Sequence, residues 1–329
     1  MEVSKTAVII PNWNGWKDTI ECLDSLKKAK SKDLFDVIVV DNNSTDDSID
    51  RITEWGRTNY LNNFFLNIDI NNKALVNIEE HNLILISNNI NKGFAAALNK
   101  GAKYILSFSH YKYVWFLNND TVVDEAAIIE LINYAEMNNQ LGMIGNLIME
   151  YSDRNVVQCM GGSKYNILTS LNTPYMNGEK IIDVQGAKLS NKISYICGAS
   201  MFMKTSTFHE VGYFNEDYFL YYEELDYTRR MNKKGYKIGF SSSSIIYHKG
   251  GSSAGSKSKY NTSKSSLSEY YSNLSALKFT KSFHPAIFPL FFINRYLMKI
   301  AYLLIKRNFT LIKSLNKAYY DFLTNKKLS

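Results

Sequence analysis

Cysteine is scarce: Cys22, Cys159 and Cys197 are three residues in 329, an odd number, scattered and without a Cys-x-x-Cys pair. That pattern excludes a disulfide-stapled fold, argues against a zinc site and points to a reducing compartment. Also missing is any cluster of Arg and Lys interleaved with stacking aromatics, so nucleic acid is not an expected partner. Met1-Glu2-Val3-Ser4-Lys5 leads straight into a strand pattern, with no basic segment and apolar run, and no signal peptide is expected. The strongly apolar stretch 283–304 is interrupted by Arg295 and Lys299, which makes it a poor spanning helix by the usual criterion of about twenty apolar residues. The expected location is therefore cytoplasmic, peripheral on the inner face of the cell membrane.

What is present is the composition of a folded protein, 45% hydrophobic and 21% charged. A net charge of +7 suits an anionic small molecule or an acidic membrane surface. The length fits one large α/β domain with a tail.

Residues 6–11 are a short β-branched run, as in a central parallel strand buried on both faces, ending at Pro11-Asn12-Trp13-Asn14-Gly15. Helical spacing follows through Ile20, Leu23 and Leu26. A second strand, 35–40, ends in Asp41-Asn42-Asn43-Ser44-Thr45-Asp46-Asp47, where Ser44 or Asp46 is placed to cap a helix. The pattern weakens over 56–82, read as an insertion. A third strand, 83–87, leads to Asn91-Lys92-Gly93-Phe94 and an Ala-rich helix. A fourth, 113–117, delivers Asn118-Asn119-Asp120 before a helix over 124–138. Any one of these polar tips is explained by a turn. Three of them on one edge of a parallel sheet predict a ligand cleft, since parallel strands end on the same side. A carboxylate among amides there suits a hard divalent cation, Mg²⁺ or Mn²⁺.

In the second half, 141–149 reads as a strand, and Cys197-Gly198-Ala199-Ser200 lets backbone lie close to a substrate. Glu223-Glu224-Leu225-Asp226 opens a helix that runs to Lys234 and is capped by Gly235. Carboxylates in a first turn also simply suit the helix dipole. Residues 239–248 form a last strand ending at His248. The Ser/Lys-rich segment 256–268 has linker composition. From 269 onward the chain is helical, either an amphipathic segment at a membrane interface or a core or dimer-interface helix.

Four signals stand in one order: Val-Ile-Ile-Pro-Asn-Trp-Asn-Gly at 8–15, Val-Val-Asp-Asn-Asn-Ser-Thr-Asp at 39–46, Asn-Lys-Gly-Phe-Ala at 91–95 and Leu-Asn-Asn-Asp at 117–120. Gly198-Ala199, the run 219–226 and His248 follow. The ordered set, over roughly residues 5–280, resembles the family-2 inverting glycosyltransferases of the GT-A fold, and within them the rhamnosyltransferase-like branch.

The resemblance implies an α/β fold, a mostly parallel doubly wound sheet with a C-terminal helical extension. It implies a catalytic domain over 1–255, with a nucleotide-sugar half at 1–140 and an acceptor and catalytic half at 141–255, then the segment 256–268 and a helical tail at 269–329. Pro11, Asn12 and Asn14 would frame the nucleotide, and Asp41 would accept from a uracil or thymine imide. Asn91, Gly93, Phe94, Asn99, Asn118 and Asn119 would hold the donor. Asp120 and His248 would be metal ligands, with Asn118 replacing an acidic residue found in many relatives. Gly198, Ala199 and Glu223 would shape the sugar and acceptor pocket, and Glu224 would be the catalytic base where relatives usually carry Asp. Many relatives also have an Arg-Asn pair where Leu274-Ser275 stand, and Lys257, Lys259 or Lys264 is expected to supply the missing cation from a lid.

The implied reaction is transfer of a sugar from a dTDP- or UDP-sugar, rhamnose from dTDP-rhamnose, to a surface glycan acceptor that is lipid-linked. The tail would meet the membrane surface or form a homodimer. A nucleotidyltransferase of similar fold, which calls for a basic Gly-rich loop after the first strand, and a non-catalytic nucleotide- or glycan-binding relative are the alternatives.

Overall fold

A computed structural model describes residues 5–30, 32–60, 64–66, 83–108, 110–184, 193–250 and 264–325. Most of the 56–82 insertion, and Lys257 and Lys259, lie outside the described residues. The first half runs β1 (Lys5–Asn12), α1 (Trp16–Lys27), β2 (Phe35–Asp41), α2 (Ser48–Tyr60), β3 (Phe64–Leu66), β4 (Leu83–Ser87), α3 (Phe94–Ile105), β5 (Tyr111–Leu117), β6 (Thr121–Val123) and α4 (Ala127–Met137). Next come β7 (Leu141–Glu150), β8 (Val157–Met160), β9 (Gly162–Tyr165), β10 (Asn172–Pro174), α5 (Ile181–Val184), β11 (Tyr195–Ile196) and β12 (Ser200–Lys204). The remainder is α6 (Thr205–Val211), α7 (Glu223–Lys233), β13 (Lys237–His248), α8 (Ser266–Phe283), α9 (Phe288–Ile305) and α10 (Phe309–Leu323).

The main sheet has 10 strands in the order β3-β4-β2-β1-β5-β12-β7-β13-β6, with β8 beside β7. β3, β4, β2, β1 and β5 are parallel. β12 enters antiparallel between β5 and β7, so the sheet is mixed. Alternation builds both faces. Val8, Val37, Leu85 and Trp115 point into one apolar layer with α1, α2 and α4. Ile9, Ile38, Ile84 and Phe116 point into the other with α3, α6 and α7. Each such fully buried aliphatic side chain contributes about 1.5–3 kcal/mol relative to exposure, which is why these strands carry no polar alternation.

Parallel register aligns the strand ends: Asn12 lies beside Asp41, and Asp41 beside Ser87. The helix expected from 124 begins at Ala127, because Asp124 Oδ1 accepts from Ala126 N at 3.0 Å and turns the chain first.

The C-terminal region divides. α8 is a core helix: Tyr270, Leu274, Leu277 and Phe279 are buried, and Tyr271 stacks on Phe219 at 4.3 Å. α9 buries only Phe291, Arg295 and Leu303 and leaves Leu290, Ile293, Leu297 and Met298 more than half exposed. Among the described residues α9 is the helix long and apolar enough to cross a membrane by length and composition.

Candidate active site

The cleft opens where β1, β2 and β5 end, and it encloses about 620 Å³. Its floor is built by amides that hold one another. Asn12 Nδ2 donates to Asp41 Oδ1 at 2.7 Å, while Thr19 Oγ1 donates to Asn12 Oδ1 at 2.8 Å. Asp41 is 1% exposed and also accepts from Ser44 N and Ser44 Oγ. Asn14, at φ 50°, accepts from Thr45 N at 2.7 Å. Pro11 and Asn12 line the cleft, whereas neither the exposed Asn14 nor the buried Asp41 does, and both shape the tips through their hydrogen bonds. Asn42 was not singled out from the sequence. It lines the cleft and donates to Asn91 Oδ1 at 2.8 Å and Gly93 O at 3.0 Å, tying the second tip to the third. Its position between Asp41 and Asn43 was the available signal.

Gly93 and Phe94 join the two halves of the chain. Gly93 has φ +94°, a left-handed conformation that favours glycine. Phe94 N donates to Phe219 O at 2.8 Å, so Gly93 and the 219–222 segment are in contact. Asn99 does not reach the cleft. Its amide donates to Phe214 O (2.9 Å) and Glu216 Oε1 (2.8 Å), and its Oδ1 accepts from Phe214 N. A buried backbone pair uses up its hydrogen-bonding capacity, so it braces the loop ahead of α7.

Asp120 and His248 meet because β6 pairs with the end of β13, placing Thr121 beside His248. His248 Nε2 lies 3.1 Å from Asp120 Oδ1. Gln158, another residue missed from sequence, sets the imidazole. Its Nε2 faces two acceptors, Glu150 Oε2 (3.3 Å) and His248 O (3.2 Å), which leaves its Oε1 to accept from His248 Nδ1 at 2.6 Å. Nε2 is thereby directed at Asp120, carrying either a proton or a free lone pair. Burial opposes protonation, but the Asp120 carboxylate outweighs it and pushes His248 up to about 9. Asn119 faces the cleft while donating to Thr19 Oγ1 at 3.0 Å. Asn118 Oδ1 is buried with no hydrogen-bond partner among the described residues. No group of three or more His, Cys, Asp or Glu among the described residues is placed to hold a metal.

On the opposite wall Tyr221 (φ 68°) and Tyr222 (φ 76°) take the left-handed conformation in succession, and α7 starts at Glu223. Strain of this kind costs on the order of 1–3 kcal/mol per residue and is found where a site dictates the backbone. Glu223 is 4% exposed, and burial beside Glu224 raises it well above the usual carboxylate range. Glu224 is half-buried over Gly198, and desolvation raises it to about 7. Neither Glu223 Oε2 nor Glu224 Oε2 has a hydrogen-bond partner among the described residues. Asp226 differs: Arg230 Nε donates to it at 2.6 Å, so it is structural. Gly198, Ala199 and Glu223 line the cleft, as does Cys197, whose thiol is lowered by a hydrogen bond from Cys159.

The model of the family described as "Glycosyl transferase family 2" matches residues 7–211, more than half of the chain. The chain belongs to glycosyl transferase family 2. This family-2 chain is 28% identical over 163 residues to the uncharacterized protein MJ0544 of Methanocaldococcus jannaschii, covering 50% of this chain and 60% of that one. It is 25% identical over 151 residues to the low-salt glycan biosynthesis hexosyltransferase Agl10 of Haloferax volcanii, covering 45% and 46%. The match thus spans less than two thirds of either relative. Among solved structures, the mannosyltransferase PcManGT from Pyrobaculum calidifontis, in complex with GDP-Man and Mn²⁺, superposes with a TM-score of 0.56 at 14% identity, over 98% of this chain and 88% of that one. At that identity the likeness is one of fold, and the expected GT-A architecture with C-terminal helices stands.

Proposed function

We propose that this chain is an inverting glycosyltransferase using a nucleoside diphosphate sugar, with Glu224 as its base. The observation that carries the reading is the position of Glu224. It lines both the cleft beside the amide-rich strand tips and a second cavity against the C-terminal helices, and its carboxyl is raised to about 7. A base with that affinity is ionised often enough to act and basic enough to take a hydroxyl proton near neutrality. The donor would lie over Pro11, Asn12, Asn91, Gly93 and Phe94. Glu224 takes the proton of the acceptor hydroxyl as its oxygen bonds to the anomeric carbon. The bond from that carbon to the diphosphate oxygen breaks, and the electron pair leaves with the nucleoside diphosphate. Attack from the opposite face inverts the centre.

Asp120 Oδ1 and His248 Nε2 converge on the cleft beside the unpartnered Asn118 Oδ1, a donor set that fits Mg²⁺ or Mn²⁺ once the imidazole gives up its proton. Bound there, a divalent cation supplies charge compensation for the departing diphosphate. Because Asn118 brings no charge, affinity for the cation would lean on the donor's own phosphates. The finer reading is rhamnose from dTDP-rhamnose and a lipid-linked surface glycan, with the exposed face of α9 at the inner membrane surface.

The test is release of nucleoside diphosphate from a panel of UDP-, dTDP- and GDP-sugars, with and without Mn²⁺, on wild type and Glu224→Gln. Release by wild type, falling at least about 100-fold in the variant, is expected for a general base. Equal turnover by the two proteins would remove Glu224 from the chemistry. No release from any donor would leave a binding module.

A further inference from the structure

Behind Glu224, on the side away from the donor cleft, lies a cavity of about 310 Å³. It adjoins an outer one of about 620 Å³, and Thr169, Leu171, Lys264, Arg295 and Lys299 line both. Resting on the transferase reading above, we propose that this passage is the acceptor subsite and that Lys264, Arg295 and Lys299 bind a phosphate group of the acceptor.

The charges do not balance without an anion. Glu269, 1% exposed, is shared by Lys264 (2.9 Å) and Lys299 (3.3 Å). Arg295 spends only two of its N–H donors, both on neutral partners, Nε on Asn273 Oδ1 at 3.0 Å and Nη2 on Ser272 O at 3.1 Å. Among the described residues, three cations stand against Glu269 and, when it is ionised, Glu224, which leaves a surplus of at least one positive charge around the cavity. Lys306 adds another at the outer end. Burial, with repulsion from Lys299 and Arg295, lowers Lys264 to about 8 despite its carboxylate partner. A clamp that merely joined α8 to α9 needs Glu269 and one lysine. It does not call for an arginine and a second lysine facing the same open space. Cations held partly out of water gain most from a doubly or singly charged phosphate, through charge-assisted hydrogen bonds.

The order of groups along the passage fits a particular molecule. The carboxyl of Glu224 stands at the inner end, the cations in the middle, and Met298 and Tyr302 at the outer end, 56% and 46% exposed. A glycan hydroxyl at Glu224 would therefore be followed by a phosphate and then by an apolar chain or by solvent. A lipid headgroup and a phosphodiester within a polymer share that chemistry.

The test is isothermal titration with octyl phosphate, inorganic phosphate and, as a neutral amphiphile, octyl glucoside, all below micelle formation and at fixed low salt. Both phosphate probes are expected to bind wild type, and Lys299→Gln and Lys264→Gln to weaken them about 10-fold each, as for hydrogen bonds to charged groups. Glu269→Gln removes the neutralising charge and is expected to tighten both probes, a change that loss of folding does not produce. Tighter binding of octyl phosphate than of inorganic phosphate supports a lipid headgroup; equal binding supports a phosphodiester. Phosphate binding indifferent to all three substitutions, or octyl glucoside binding as well as octyl phosphate, overturns the proposal. Donor hydrolysis needs no acceptor and is read separately. Hydrolysis with a failed titration sinks this site alone, while a passed titration without hydrolysis sinks the transferase reading and leaves an anion site.

Discussion

A Cβ placed on Gly93 would lie 2.3 Å from Phe219 O, so the turn ahead of α3 and the segment leading to the Glu223-Glu224 pair are seated directly on each other. Gly93→Ala must therefore move backbone as well as adopt a positive φ. The left-handed conformation alone costs about 1–3 kcal/mol for a residue with a side chain. A lowered thermal midpoint is expected together with a fall in kcat, because the carboxylate wall shifts with Phe219. An alanine variant with wild-type melting and turnover would show that the two segments are not coupled.

The two glutamates should separate in their pH behaviour. Glu224 acts when ionised, and burial raises it to about 7, so kcat/KM should climb through pH 7 and level off above it. Burial and the neighbouring Glu224 carboxyl raise Glu223 well above the usual carboxylate range. Glu223→Gln, which keeps the shape of the side chain without its charge, is expected to leave the limb near pH 7 in place and change the rate by less than about 10-fold. A pH profile flat from 6 to 8 in wild type would contradict the assignment of the base.

Gln158 offers a test of the proposed cation site at a distance from it. Its Oε1 fixes which nitrogen of His248 carries the proton, and partners of this kind are typically worth about 10–100-fold in metal affinity. Gln158→Ala is therefore expected to raise the Mn²⁺ concentration needed for half-maximal rate by that factor. The rate at saturating Mn²⁺ should change less. An unchanged Mn²⁺ titration would mean that His248 does not serve the cation.

Strand tips could be read from sequence wherever an apolar run stopped at Asn or Asp, because a parallel sheet brings such ends together. The roles within the tips could not. Asn99 carries the same amide as Asn12 and Asn91, and only the packed structure decides which amides face the cleft. Asn42 and Gln158 were missed because each works through a partner far along the chain, Asn91 and His248. The antiparallel entry of β12 was equally hidden, since its apolar run looks like that of a parallel neighbour.

Asn99 makes the distinction measurable. Asn99→Ala leaves Phe214 N and O without their partner in a buried setting, at a cost of about 1–3 kcal/mol for each unsatisfied group. A clear drop in denaturation midpoint is expected with little change in KM for the donor. The reverse pattern, normal stability and a raised KM, would return Asn99 to the donor site.

The exposed face of α9 is where membrane attachment can be decided. Ile293 and Leu297 are 57% and 56% exposed, so replacing them should not disturb the core. If this face enters the interfacial region of a bilayer, Ile293→Gln and Leu297→Gln together remove two apolar side chains from it. At about 1.5–3 kcal/mol for each full burial, even half of that lowers the partition coefficient at least about 10-fold. Flotation with vesicles containing anionic lipid should show wild type in the top fraction and the double variant at the bottom, with donor hydrolysis unchanged. Lys306 and Arg307 stand at the end of the same helix, so binding should also weaken with salt. Equal flotation of the two proteins would leave the apolar face to a second copy of the chain, and a concentration-dependent mass in solution would then be required.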